Sequence, residues 1–192
     1  MLRQAGIEVL ISDNPDQARM INSGFCLRME KSRPLVQLKI AATLDGRIAA
    51  SDGSSQWITG DSARRDVHTL RAMSCALITG IGTIRADNPR LNARIDSDVE
   101  QPLRVVVEGR HVVPPDAAIF SEAGRVLLVG PRSLPSRKEV PPGAEYLSVD
   151  SDHEKLDLGQ LIKRLADQGC NEVLVEAGPT LAGAFVSAGL VD

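Results

Sequence analysis

Short apolar runs alternate with amphipathic stretches along this chain, and the two patterns have different periods. Ala76–Thr79, Arg104–Val107, Val126–Val129, Tyr146–Val149 and Val173–Val175 are aliphatic over most of their length and bounded by turn-forming residues. That is the pattern of strands covered on both faces. Leu35–Leu44, "LVQLKIAATL", is a longer run of the same kind, closed by Asp45-Gly46, and predicts a buried strand. Asp61–Ser74 instead repeats apolar residues at helical spacing, with Asp61 as cap and Ala63, Val67, Leu70 and Ser74 on the inner face. Arg64, His68 and Arg71 share another face. Residues 157–169 place Leu158, Leu161, Ile162 and Leu165 on one stripe, opened by an Asp157/Gln160 capping box and ended by Gly169.

Near the start, Ile7–Ile11 reads as a short strand, and Pro15–Cys26 as a helix with Ala18, Ile21 and Phe25 on one face. Arg28–Pro34 is polar and ends in proline, so it predicts a linker. Strands alternating with helices give an α/β fold with a mostly parallel sheet, and place a ligand at the carboxyl ends of the strands.

Composition narrows the partners. Lys and Arg total 22 against 25 Asp and Glu, a formal charge of −3, and only 3% of residues are aromatic. Neither a basic surface nor a set of stacking rings is available for nucleic acid. A small-molecule ligand fits better. Cys26, Cys75 and Cys170 are widely spaced and odd in number, which argues against a disulfide framework and for a reducing cytoplasm. No apolar run is long enough to cross a bilayer.

Three stretches carry candidate chemistry. In "VLVEAGPTLAGAF" a strand ends at Glu176, Gly178 turns, and Pro179 takes the first helical position. Free amides and the helix dipole there suit an anion, a phosphate being the simplest; a plain helix start beside a solvated Glu176 fits the same residues. In "TGIGTIRADNPRLNAR" the Gly80-x-Gly82 pair, with Glu108 further on, imitates a dinucleotide fingerprint. Arg85 replaces its third glycine, and "ADNPRL" interrupts the helix such a site needs. A polar loop remains, either a ribose and phosphate contact or a solvated surface. In "LDGRIAASDGSSQWITG" Trp57 offers a flat face to a ring, or packs on its own loop. Lys39 inside a buried strand would be costly unless it reaches a cleft, or unless the strand is an edge.

"LKIAATLDGRIA", "SQWITGDSARRDVHTLRA", "GIGTIRADNPRL" and "VLVEAGPTLAGAF", in that order, resemble the reductase domain of the RibD family of bacterial riboflavin biosynthesis enzymes. The resemblance spans about residues 34 to 192. It implies a dihydrofolate-reductase-like fold, with residues 1–33 as the remnant of a preceding deaminase domain plus linker. It also implies NADPH-dependent reduction of the ribosyl group of 5-amino-6-(5-phosphoribosylamino)uracil to a ribityl group. Position by position, Ala41, Trp57, Thr83, Asp87 and the run Gly178, Pro179, Thr180, Leu181, Ala182, Gly183 and Ala184 match cofactor contacts. Ser55, Arg71, Leu91, Arg94 and Glu176 match substrate contacts, with Arg71 and Arg94 suited to the substrate's phosphate. Lys39 and Glu176 are the candidates for handling protons around an imine. The family's full-length proteins imply a homo-oligomer, a dimer.

The pattern also departs from that family. None of His68, His111 and His153 is followed by x-Glu, and there is no PCxxC pair, so the chain lacks the zinc signature of the deaminase half. No metal is expected. Gly109 stands where the family often carries a small hydroxyl residue. The chain reads as truncated at both ends relative to the family. Two rival readings follow: a related pterin or pyrimidine reductase of the same fold, and a non-catalytic NADP-binding piece.

Overall fold

Six strands build one sheet in the order β1-β8-β2-β3-β4-β5, every neighbouring pair parallel. In this computed structural model, residues 1–10, 14–109, 111–132, 139–152 and 155–192 are described. The strands are β1 (Leu35–Leu38), β2 (Ala76–Gly80), β3 (Leu103–Val107), β4 (Val126–Pro131), β5 (Ala144–Val149) and β8 (Glu172–Val175). A separate antiparallel pair, β6 (Ser151–Asp152) with β7 (Lys155–Leu156), precedes the helix that follows β5.

Alternation along the strands divides the core into two layers. Ala76, Ile78, Val105, Leu127, Val129, Val173 and Val175 face one side, where α5 (Leu158–Asp167) contributes Leu158, Leu161, Ile162 and Leu165, and α6 (Pro179–Ser187) contributes Phe185. Leu77, Val106, Leu128 and Leu174 face the other, meeting Leu70 of α3 (Asp61–Met73) and Ile84 of α4 (Ile81–Asp87). Both faces are therefore covered, which is why the strands read as continuous apolar runs. The Asp157 carboxylate caps α5 by accepting the Gln160 amide. Parallel strands put all their carboxyl ends along one edge, so the segments after β1, β2, β3 and β8 meet there.

Several sequence expectations change. Residues 7–10 take no strand and leave Ile7 and Leu10 exposed, while Ile11 lies outside the described residues. The helix expected over Pro15–Cys26 divides at Asn22 into α1 (Pro15–Ile21) and α2 (Ser23–Lys31). That second helix absorbs most of the expected linker, leaving Ser32 to Pro34 as the connection. β1 ends at Leu38, so Lys39 lies just past the sheet, half-buried, on an edge strand. At the start of α3 the cap is Gly60, and Asp61 is the first helical residue, paired with Arg64. The inner face of α3 holds Val67, Leu70 and the following Ser74 as expected and widens to take in Arg64, His68 and Arg71, while Ala63 is exposed. The stretch after β2 forms α4 rather than an open loop. It stops where Asn88 adopts a left-handed conformation (φ 41°) ahead of Pro89, so the proline ends this short helix instead of preventing it.

Candidate active site

Glu176 is the first residue past β8, and its amide donates to the Ile78 carbonyl of the neighbouring β2 at 2.9 Å. The backbone there is held by the sheet, so the carboxylate has a fixed origin. Arg71, in the last turn of α3, grips it at two points: Nε to Oε1 at 2.7 Å and Nη2 to Oε2 at 2.9 Å. Both side chains are largely buried, 14% and 10% exposed. Arg71 also donates through Nη1 to the Asn92 carbonyl at 3.1 Å, so the guanidinium bridges the end of β8 and the segment after α4. A pair this buried holds its geometry well.

That second segment is shaped by Leu91. Its φ of 54° is unusual for a branched residue and costs on the order of 1–3 kcal/mol. The turn sends the Leu91 side chain into the core, 3% exposed. It also sets Asn92 as a hub. The Asn92 side chain donates to Glu122 Oε2 at 3.1 Å and accepts from Arg94 Nη1 at 2.9 Å. Glu122 is tied in turn to Arg90. His68, one turn before Arg71 on α3, accepts the Arg94 backbone amide at Nδ1, 3.2 Å away. Burial first, and then the charges of Arg71 and Arg94, push the His68 pKa below its ordinary value, against weaker upward pulls from the Asn92 backbone and Glu176.

The start of α6 lies beside the start of α4. Thr83 Oγ1 accepts the Gly178 amide at 3.3 Å, and a side chain at Gly80 would touch Leu181. Pro179 takes the first helical position as the sequence predicts. The next amides of that first turn have no carbonyl partner within the helix. Added Cβ atoms at Gly82 and Gly183 would meet nothing within 4 Å, and one at Gly178 only Thr83 Oγ1 at 3.9 Å. Backbone is thus open to close approach, and this cradle fits the phosphate of a dinucleotide. Within Gly178–Ala184 the residues divide: Gly178, Pro179, Thr180, Gly183 and Ala184 are exposed, Leu181 is half-buried, and Ala182 turns into the core.

The Lys39 amide donates to the Val175 carbonyl at 3.0 Å, placing Lys39 beside the chain that leads into Glu176. Ala41 follows, half-buried. Trp57 is 72% exposed and lies under the Arg64 guanidinium, 4.5 Å from the ring centroid, a cation–π contact at the opposite end of α3 from Arg71. Ser55 and Asp87 are exposed. Glu108, the acid of the apparent dinucleotide fingerprint, is fully buried at the end of β3 and accepts the Val113 amide at 2.7 Å. It closes a loop there and is not open to a ribose. Asn92 and Glu122 escaped the sequence reading because hydrogen-bond hubs carry no periodic signal. Arg104 also escaped it, standing inside a strand with 0% exposure. A groove of about 430 Å³ between α1 and α2, lined by Met20, Cys26 and Leu27 among others, shares no residue with this centre.

The mostly parallel sheet flanked by helices has a dihydrofolate-reductase-like architecture, with a buried Arg–Glu pair and an exposed helix start along its carboxyl edge. The chain belongs to the RibD C-terminal domain family, which it matches over residues 34–192. It is 39% identical over 203 residues to the riboflavin biosynthesis protein RibD of Escherichia coli, covering 100% of this chain and 55% of that protein. Against the RibD of Chlamydia trachomatis it is 40% identical over 198 residues, covering 100% and 52%. The chain therefore spans about half the length of these relatives. Among solved structures, Acinetobacter baumannii RibD superposes with a TM-score of 0.82 at 39% identity, over 100% of this chain and 53% of that one. A deaminase/5-amino-6-(5-phosphoribosylamino)uracil reductase from Thermotoga maritima gives 0.82 at 32%, over 97% and 51%.

Proposed function

We propose that this domain reduces the ribosyl group of 5-amino-6-(5-phosphoribosylamino)uracil to a ribityl group with NADPH. The observation that carries this reading is the placement of a fixed carboxylate, Glu176, two residues before the open start of α6 that the Thr83 hydroxyl ties to α4. The cofactor would be held by the first turn of α6 and Thr83, with Ala41, Trp57 and Asp87 along its length. When bound it supplies a hydride. The protein's own residues do the rest. Arg71 holds the Glu176 carboxylate in orientation, Lys39 stands beside the same chain end, and Glu176 and Lys39 together hold a proton near the nitrogen that becomes an amine. Ser55, Leu91 and Arg94 line the substrate side, and Arg94 supplies charge for the phosphate.

The RibD relatives support the substrate class, and the amide cradle supports a phosphorylated cofactor. Residues 1–33 are read as the end of a deaminase unit. That reading is supported by relatives about twice this length and by the exposure of Met20, Ile21, Phe25 and Met29 on α1 and α2. The test is substrate-dependent loss of reduced-nicotinamide absorbance with the deaminated aminouracil ribotide, compared for NADPH and NADH. Oxidation with NADPH in clear preference supports the proposal. No oxidation with either, by a folded chain, refutes it.

A further inference from the structure

Thr79 Oγ1 and Arg104 Nε are buried side-chain atoms with no hydrogen-bond partner among the described residues. Arg104 Nε belongs to a guanidinium already bonded through both of its other nitrogens. Thr79 is different. It stands in β2 with 0% exposure, between Ile78 and Gly80 and opposite Val106, where valine would have the same shape and no hydroxyl to desolvate. A hydroxyl kept there against that cost points to a partner met in another state of the site.

The sheet identifies the partner. The β2–β8 register pairs Leu77 with Leu174 and Ile78 with Val175, so the next pair along is Thr79 with Glu176. The Glu176 amide, donating to the Ile78 carbonyl, carries the ladder to that point. Leu77 and Leu174 both pack on the α3 side of the sheet, and alternation turns Thr79 and Glu176 the same way, toward the helix that carries Arg71. Neighbouring strands lie about 4.8 Å apart, so the two side chains rise from adjacent points on one face. Glu108 shares that face, but it lies two residues beyond Val106 on β3, about 8 Å from Thr79 at the backbone. Its carboxylate also accepts the Val113 amide already. Glu176 is the nearer acid.

A carboxylate and a carboxylic acid need different neighbours. Ionised, Glu176 accepts at both oxygens, and Arg71 supplies both donors. Once it carries a proton, one oxygen becomes a donor, and a guanidinium has nothing to accept with. We propose that Thr79 is a positioning residue whose hydroxyl accepts the O–H of Glu176 in its acid form, so that the acid can exist beside Arg71. Delivery of that proton breaks the Glu176 O–H bond, forms an N–H bond at the substrate, and returns both carboxylate oxygens to Arg71. The delivery rests on the reductase reading; the Thr79–Glu176 contact rests on the register and the buried hydroxyl.

Glu176→Gln imitates the acid form, since its amide keeps one acceptor for Arg71 and replaces the other oxygen by an N–H donor. Thermal unfolding of the wild type, Thr79→Val, Glu176→Gln and the double variant tests the contact without substrate. Thr79→Val alone should leave Tm unchanged or raise it, because it removes an unpaired buried hydroxyl. In the Glu176→Gln background the same change should lower Tm by about 2–4 °C, because it strands the amide N–H. Equal effects in the two backgrounds would overturn the proposal. Turnover gives a second readout. Thr79→Val should lower kcat for NADPH oxidation about tenfold with KM within about twofold, and Thr79→Ser, which keeps the hydroxyl but loses a buried methyl, should recover the rate while melting lower. Rates that follow stability instead, or a Thr79→Val variant as fast as the wild type, would also overturn it. If the wild type oxidises no NADPH while the unfolding cycle is coupled, the reductase reading falls and the contact stands. If turnover proceeds and the cycle is additive, the contact alone falls.

Discussion

Arg71 and Glu176, 105 residues apart in the chain, close a two-point ion pair that is almost shut off from water. Each therefore depends on the other. Glu176→Ala leaves a buried guanidinium with the Asn92 carbonyl as its remaining partner, and should cost about 3 kcal/mol or more of stability. Denaturant unfolding measures it. Glu176→Gln keeps the shape and part of the hydrogen bonding, so its stability loss should be smaller, while kcat/KM falls about 100-fold or more if the carboxylate handles the proton. A Gln variant as active as the parent would remove Glu176 from the chemistry.

Gly178→Ala separates folding from cofactor approach. The added methyl meets nothing closer than 3.9 Å, and φ there is an ordinary −67°, so the melting temperature should stay within the usual surface range. The same methyl stands in the mouth of the α6 cradle, and the KM for NADPH should rise by roughly tenfold. An unchanged KM would place the cofactor phosphate elsewhere.

Thr83→Val removes the acceptor of the Gly178 amide while conserving shape. The expected loss is about 1 kcal/mol, seen as a several-fold weaker NADPH affinity. Thr83→Ser should restore it. Fluorescence titration at Trp57 gives the affinity directly.

His68 sets a pH dependence whose sign is fixed by its lowered pKa. The unfolded chain has the ordinary value, about 6.5, and binds the proton first as pH falls. The contribution is therefore complete above that value and declines as pH drops through it toward the lower folded value. The unfolding midpoint of the wild type should decline more between about pH 7 and 5 than that of His68→Asn. Asp192, held low chiefly by its hydrogen bond from Arg33, loses its contribution only in the more acid range below its ordinary value of 3.8. Parallel curves for the two proteins would count against a neutral His68.

Strands and long helices were legible because burial on both faces leaves a mark on every residue of a short run. β2, β3, β4 and β8 stand where the aliphatic stretches put them, and Asp157 caps α5 as its spacing predicts. The failures are local. α4 was hidden by Pro89, which lies two residues beyond it, and the Asn22-Ser23-Gly24 run that marks the break between α1 and α2 was masked by apolar spacing that continues through it. Lys39 looked buried because the apolar letters run on past Leu38, although the sheet does not. At the site, residue types and motifs brought Arg71, Glu176 and Gly178 to attention. Nothing in the letters could say that Arg71 and Glu176 hold one another, because side-chain pairing across 105 residues leaves no local pattern.

Arg104 shows a constraint of another sort. Its Nη1 donates to the Ile119 carbonyl at 2.7 Å, and its Nη2 to those of Glu122, Ala123 and Gly124 at 3.0, 3.0 and 2.8 Å. One buried cation thereby organises a stretch that has little regular structure of its own, and that stretch bears the carboxylate anchoring Asn92. Drift in this part of the protein is then limited by which way carbonyl oxygens point more than by which side chains are present. Related sequences could differ freely at position 123, whereas 122 carries the carboxylate that holds Asn92 and 124 has a φ of 104° that favours glycine; a single change at position 104 would release the whole arc at once.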